Sequence, residues 1–378
     1  MANPVARIAV AILLIGLVVG VLRSWLLRNE VANGTAVNGG VTSVVLLTST
    51  AKSIWIQRQV KQFNVTNDKV QVVVRFVEDR DAMTGILYGR QQPELWCPDS
   101  PLWVERINEL WEKQHGAALV DEDPSNFRLL MRSPLVFLTT KKKAAFLQPL
   151  LGSGNAWANM AKLSTGGTRA PWGSFHYGIA DPIASNSGVL ALAMAAGEYA
   201  HQDNNAELTA HFVSDPGFSS YLTELQKGSR MYASTIKLTS AYVDDPKIAD
   251  LIITQESLAV DAVRHNDQLV VIYPQPTLEA DESICVVDGP WASADQKALA
   301  HKFVDFLSRP DAVSDLPQFD MHPPPGLDET GIAADLAKFH DNGLSGQCTV
   351  ATPPTYGVLN ALAYQWNLLS HGQLARAQ

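Results

Sequence analysis

The chain has 378 residues, 46% of them hydrophobic and 18% charged, with a formal net charge of −9. That length is more than one ordinary core needs and predicts about two domains, and the composition excludes a disordered chain. The acidic balance excludes general nucleic-acid binding through a basic surface and broad adhesion to anionic lipid.

The first element is apolar. Ile8 to Leu22 run unbroken between Arg7 and Arg23, and Trp25, Leu26, Leu27 and Arg28 follow. A helix of about 20 residues spans the hydrocarbon layer of ~30 Å. Val5 to Leu27 supplies that length when Arg23 snorkels and Trp25 sits at the interface. Residues 1–28 are therefore read as an uncleaved signal anchor of a single-pass cell-membrane protein whose bulk is extracytoplasmic. A cleaved secretory signal, with its apolar region of ~7–15 residues, is the alternative. No clear A-x-A site follows the run, and no cysteine behind it offers a lipid attachment point. Residues 29–40, NEVANGTAVNGG, have no apolar period and read as a flexible linker.

From Val41 short β-rich runs alternate with helical stretches. Val41 to Leu47 and Val70 to Val77 read as strands, with a helix through Phe63 between them. Asp79 to Tyr88 is helical, a short strand ends near Trp96, and Asp99-Ser100-Pro101 opens a helix through Lys113. This alternation predicts βαβ units and a largely parallel sheet. Leu135 to Thr140 is a further strand, after which Lys141, Lys142 and Lys143 read as a solvated turn. Strands follow at Ser174 to Ala180, Leu251 to Thr254, Leu269 to Tyr273 and Ile284 to Val287. Helices follow at Ser187 to Glu198, Pro216 to Lys227, Glu256 to His265, Asp295 to Leu307 and Val358 to Leu369. The expected architecture is α/β with two lobes, mixed but mostly parallel sheets and flanking helices. Residues 41–134 and 274–378 form lobe 1, and residues 135–273 form lobe 2. The last helix is expected to pack back on lobe 1.

In an open α/β sheet, ligands bind outside the carboxyl ends of strands, where helices begin. That rule selects Thr48, Ser49 and Thr50, then Ser100, with Asp99 beside it, then Ser185, Asn186 and Ser187, then Gln255 and Glu256. Free N–H groups and the helix dipole make such corners receptive to polar ligands. Taken singly, each corner also reads as an N-cap, the usual employment of Ser, Thr, Asp and Asn. Asp181-Pro182 reads as a turn, and Trp55, Trp103, Trp111 and Trp366 as core. Tyr273, before Pro274, is either a cleft residue or an interlobe spacer.

Catalytic signals are missing: the chain has no GxSxG, HExxH, GxxxxGK[ST] or GxGxxG. Cys97, Cys285 and Cys348 and the histidines show no metal-ligand spacing, so no cofactor or metal is expected; the cysteines read as buried apolar residues, with one disulfide in an oxidising compartment as the alternative. The protein is read as a binder and not an enzyme.

Five stretches carry a resemblance. They are Thr48-Ser49-Thr50-Ala51-Lys52 with Trp55, Leu95 to Ser100 with Trp103, Asp181-Pro182 leading to Ser185-Asn186-Ser187-Gly188, Gln255-Glu256-Ser257, and Asp288-Gly289-Pro290-Trp291. In their order and spacing the chain resembles bacterial extracellular solute-binding proteins of the periplasmic type II fold. It looks closest to the molybdate-related branch often found preceding a von Willebrand factor type A domain. The resemblance implies hinge closure of two lobes over a small polar solute, which is then passed to a membrane transporter or another membrane protein. It implies a ligand shell of Ser49 or Thr50, Ser100, Ser185 to Ser187, Gln255 or Glu256, and Tyr273. Asp99 and Glu256, with Asp181, would make that shell partly acidic, unlike one built for a simple tetrahedral oxyanion. A cationic, zwitterionic or polyhydroxylated solute fits it better. The competing expectation is an anchored interaction scaffold that keeps the fold without a small-molecule ligand.

Overall fold

Valines and leucines make β1 (Thr42–Thr48) and β2 (Val70–Phe76) a parallel pair joined by α1 (Ser53–Val65). After α2 (Asp79–Leu87), β3 (Leu95–Cys97) adds parallel to the other side of β1, and α3 (Pro101–His115) leaves it. Each crossover helix returns the chain to the same end of the sheet, which is what parallel pairing requires. This computed structural model describes residues 40–202 and 207–376, and the chain from Thr42 onward is one unit. The expected anchor, residues 1–28, and the expected linker up to residue 39 lie outside the described residues. No described helix is long and apolar enough to cross a membrane.

The long β4 (Phe127–Thr140) leads to α4 (Lys141–Leu151), α5 (Ala156–Thr165), β5 (Tyr177–Ala180) and α6 (Asn186–Gln202). Next come α7 (Ala210–Val213), α8 (Pro216–Gly228), β6 (Ser229–Tyr232), α9 (Thr235–Asp244) and β7 (Leu251–Gln255). The chain continues through α10 (Glu256–His265), β8 (Leu269–Ile272), β9 (Glu279–Val286) and α11 (Ala294–Leu307). It closes with α12 (Pro310–Ser314), α13 (Thr330–Ala337) and α14 (Tyr356–Arg376). The strand order is β2-β1-β3-β9-β4-β7-β5-β6, with β8 also on β4.

Strand β4 serves both lobes. Phe127 to Pro134 pair with β9, while Leu135 to Thr140 pair with β7 and β8. Pro134, which has no N–H to give a ladder, lies where the partner changes. The pairings are not mostly parallel as expected. β1–β2, β1–β3, β5–β6 and β5–β7 are parallel. β3–β9, β4–β7, β4–β8 and β4–β9 are antiparallel. The antiparallel set centres on β4 and β9, strands joined to their neighbours across the lobes without a simple βαβ crossover.

Two further expectations are corrected. Lys141 to Lys143 are the first turn of α4, whose buried Ala144, Leu147 and Leu151 have helical spacing. The last helix packs mainly on the second lobe, while Tyr356 at its start meets Trp103 of α3 in the first lobe as expected, ring centroids 5.3 Å apart. Val358, Leu359, Leu362, Ala363 and Trp366 share a core with α6 and α8 residues such as Leu190, Leu192 and Leu222. Helix α6 is buried at every position from Asn186 to Ala196; a helix apolar all round needs cover on all sides, and α14 supplies some of it.

Candidate functional site

The corner after β1 is built around a buried lysine. Lys52 precedes α1 as its N-cap but makes no side-chain cap, and its residue is 1% exposed. Its ammonium donates to Asp99 Oδ1 and, at 3.3 Å, to Ser49 Oγ. The Ser49 hydroxyl donates to the same Asp99 oxygen. Lys52 Nζ forms an ion pair with Glu282 Oε2 at 2.9 Å, and this ammonium is the charge that faces the buried Glu282 carboxylate. The Asp99 N–H donates to Asp79 Oδ2 at 3.0 Å, and Asp79 Oδ1 has no partner among the described residues.

One ammonium therefore faces Asp99, Glu282 and Asp79 in a buried corner. Burial opposes the lysine charge, but Asp99 and Glu282 outweigh it and hold its pKa well above the ordinary value. Burial raises Asp79 well above the carboxylate range, with Asp99 adding to the rise and Lys52 opposing it. Burial pushes Glu282 up to about 7, against the pull of Lys52. Beneath them Cys97 is a buried free thiol that burial pushes up to about 12. Cys285 is also buried and free, and Cys348 is half-buried and free.

The other expected residues divide into two groups. One group meets this corner. Asn186 Nδ2 donates to the Asp99 carbonyl at 2.9 Å, joining the first lobe to the start of α6. Ser100 caps α3 by accepting from Leu102 N at 3.3 Å. Ser185 Oγ is 3.1 Å from Thr235 Oγ1 at the start of α9, and Ser187 is buried in the first turn of α6. Gly188 lets that turn sit down on the sheet, because a Cβ there would lie 2.3 Å from the Ala180 carbonyl oxygen. Asp181 accepts from Ile183 N at 2.9 Å, the expected turn.

The second group belongs to a separate cluster where the lobes exchange chain. Glu256 accepts from the Tyr273 hydroxyl and pairs with His322 Nε2. The Tyr273 oxygen accepts in turn from Gly346 N at 3.2 Å. Burial, followed by the Glu256 charge, raises the Tyr273 hydroxyl. Arg132 bonds Glu279 at 2.8 Å and also Glu329 beside them. Gln255 is 1% exposed and its Oε1 has no partner among the described residues. Sequence reasoning missed Lys52, Glu282, His322 and Arg132 as partners. A lysine in a serine-rich corner carries no mark of burial, and Glu282 lies 230 positions on from Lys52 (282 − 52).

An open groove of about 600 Å³ lies beside the corner. Thr50, Lys52, Ser53 and Ile54 line it from the first lobe, and Ile236, Ser240, Asp244, Ser257, Leu258 and Asp261 line it from α9 and α10. Of the expected ligand residues Thr50 lines it. Ser49, Asp99, Ser100, Ser185, Asn186, Ser187, Gln255, Glu256 and Tyr273 are not on its wall. Among the described residues no His, Cys, Asp and Glu grouping fit to hold a metal ion is present.

A strand shared by two lobes, with polar strand-to-helix corners meeting across them, defines the two-lobe periplasmic-binding class of fold. The chain belongs to the bacterial extracellular solute-binding protein family, whose model matches residues 44–314. Its fold is similar to that of the sulfate-binding protein SubI from Mycobacterium tuberculosis H37Rv (TM-score 0.54, 17% identity, 82% of this chain and 93% of that one). It is also similar to the periplasmic binding protein AfuA from Actinobacillus pleuropneumoniae (TM-score 0.59, 13% identity, 88% and 98%). A third similar structure is described as a spermidine/putrescine ABC transporter from Listeria monocytogenes (TM-score 0.61, 10% identity, 87% and 99%). No curated protein sequence matches the chain.

Proposed function

We propose that this protein captures a small polar solute between two hinged lobes outside the cytoplasm, and delivers it to an ABC-type transporter or another membrane partner. Residues 1–28 anchor it in the membrane in this reading. The hinge lies near Pro134 and Leu135, with Ser49, Thr50, Asp99, Ser100, Ser185 to Ser187, Gln255, Glu256 and Tyr273 in or behind the ligand shell. The observation that carries the reading is the bond from Asn186 to the Asp99 carbonyl, which brings the polar corners of both lobes face to face. A ligand that binds the native state alone stabilises it by about 2.7 kcal/mol at one hundred times Kd. Thermal unfolding of the full chain against oxyanions, amino acids, sugars and amines is the test. A saturable rise in Tm with one class is expected, and a flat response to all of them overturns the reading.

A second reading has one observation in its favour. The corners are filled by their own partners, Lys52 with Asp99 and Glu256 with Tyr273 and His322. An anchored scaffold with a degenerate cleft would look like that. It predicts no solute response and retention of a membrane protein on the immobilised chain.

A further inference from the structure

The chain crosses between the lobes three times, and a buried histidine stands where the crossings meet. Strand β4 crosses at Pro134, and Glu279, the partner of Pro134 in β9, marks the second crossing. The third lies between Met321, in the first-lobe core, and Ile332, in the core that α9 and α10 share. His322 opens this third crossing. Its N–H donates to the Arg132 carbonyl on β4 at 3.1 Å, and its own carbonyl accepts from Arg132 N at 3.0 Å. Its side chain reaches the other way, to Glu256 in the first turn of α10. His322 is 4% exposed, and Glu256 is fully buried.

The second ring nitrogen, Nδ1, has no hydrogen-bond partner among the described residues and lies 3.7 Å from Glu329 Oε2. An imidazolium therefore meets a carboxylate on each side, whereas a neutral ring has a proton for one nitrogen only. Without that charge Glu256 loses its counter-ion, and Arg132 is already held by Glu279 and Glu329. Of the other groups packed here, Arg132 and Arg264 stay cationic, the latter on Asp320 at 2.9 and 2.7 Å. Burial raises the Tyr273 hydroxyl and pushes the Cys348 thiol up to about 12, so both keep their protons. Asp281, opposite Arg132 on β9, is raised to about 6 by burial and is the one competing titration.

We propose that His322 is a pH-responsive latch of the hinge, a regulation that rests on the hinged-receptor reading. Its imidazolium ties the third crossing to α10, and loss of the proton frees that crossing. Histidine is the side chain that ordinarily changes charge between pH 5 and 8. The latch is closed at the acid end of that range and is lost as pH rises.

The test is hydrogen exchange of the full chain at about pH 5.5 and about pH 8, corrected for the intrinsic pH dependence of exchange. Two stretches report on the latch: residues 320–330, and Ser345 and Gly346, whose N–H groups bond the Tyr273 hydroxyl. Their protection falls about tenfold at the higher pH, the scale of one hydrogen bond to a charged group, while that of α11 is unchanged. His322→Gln and Glu256→Gln each abolish the fall; circular dichroism verifies folding, and either variant that folds decides. A fall that persists in His322→Gln belongs to Asp281 and overturns the latch. So does a flat response in the native chain, or an equal fall in α11. All three leave the receptor reading standing, since no solute takes part.

Discussion

At Lys52 an ammonium has been taken out of water at the positive end of α1, where the dipole repels it. Asp99 and Glu282 make that tolerable, and neither would be tolerable alone in the same place. Removing one member of a buried ion pair leaves an uncompensated charge, at a cost of about 3–5 kcal/mol. Lys52→Met, which keeps the stem and deletes the charge, is expected to lower unfolding stability by that amount in urea titrations. The pH response has a definite sign. Unfolded glutamate titrates near ~4.3, while folded Glu282 titrates at about 7 because burial favours its neutral form. Its contribution is complete below the unfolded value and is lost as pH rises through about 7. Asp281, raised to about 6 by burial and then by Glu279, acts in the same direction. Glu282→Gln should therefore narrow the drop in Tm between about pH 5 and pH 8, read by scanning calorimetry. An unchanged drop would mean that Glu282 folds without a proton.

At the level of elements, the approach of α6 to β5 sets the position of Asn186. The close contact of Gly188 with the Ala180 carbonyl means that Gly188→Ala must lift the helix start. Overpacking of this kind costs about 1–3 kcal/mol and should also break the Asn186 bond to Asp99. Asn186→Ala removes the bond alone and should cost about 1 kcal/mol. Equilibrium denaturation of the two variants separates these effects, and equal losses would show that the helix accommodates the methyl. The helix starts were legible because their caps are local. Ser100 and its neighbour Pro101 signal the start of α3 within three residues, as do Asp215 and Pro216 for α8. Helices α5 and α9 carry no side-chain cap and Pro pair of this kind at their starts, and in α4 the three lysines of the first turn mask the helical spacing of Ala144, Leu147 and Leu151.

On the scale of the whole molecule, α14 decides how the second lobe is closed. Trp366 is 2% exposed against the alanine- and leucine-rich α6, and large-to-small changes at such aromatics cost about 3–5 kcal/mol. Trp366→Ala is expected to destabilise the protein by this amount and to expose apolar surface that a hydrophobic dye detects. If dye binding and stability stay unchanged, the helix is not part of the core. Distribution of charge is also a property of the whole fold. The formal charge of −9 says nothing of where acids gather, and it is the fold that brings Asp99, Glu282 and Asp79 around the enclosed Lys52.

By itself the sequence determined the alternation of strands and helices, the polar corners between them and the family resemblance, because each is written in neighbouring residues. The family match over residues 44–314 agrees with that resemblance. Only the tertiary structure decided which corners meet, that β4 is shared by two sheets, and that Glu256 and Tyr273 bond each other. Only there does Lys52 acquire Glu282 as a partner. The physical reason is that burial and ion pairing depend on which distant residues exclude water from a side chain, and spacing along the chain does not encode that.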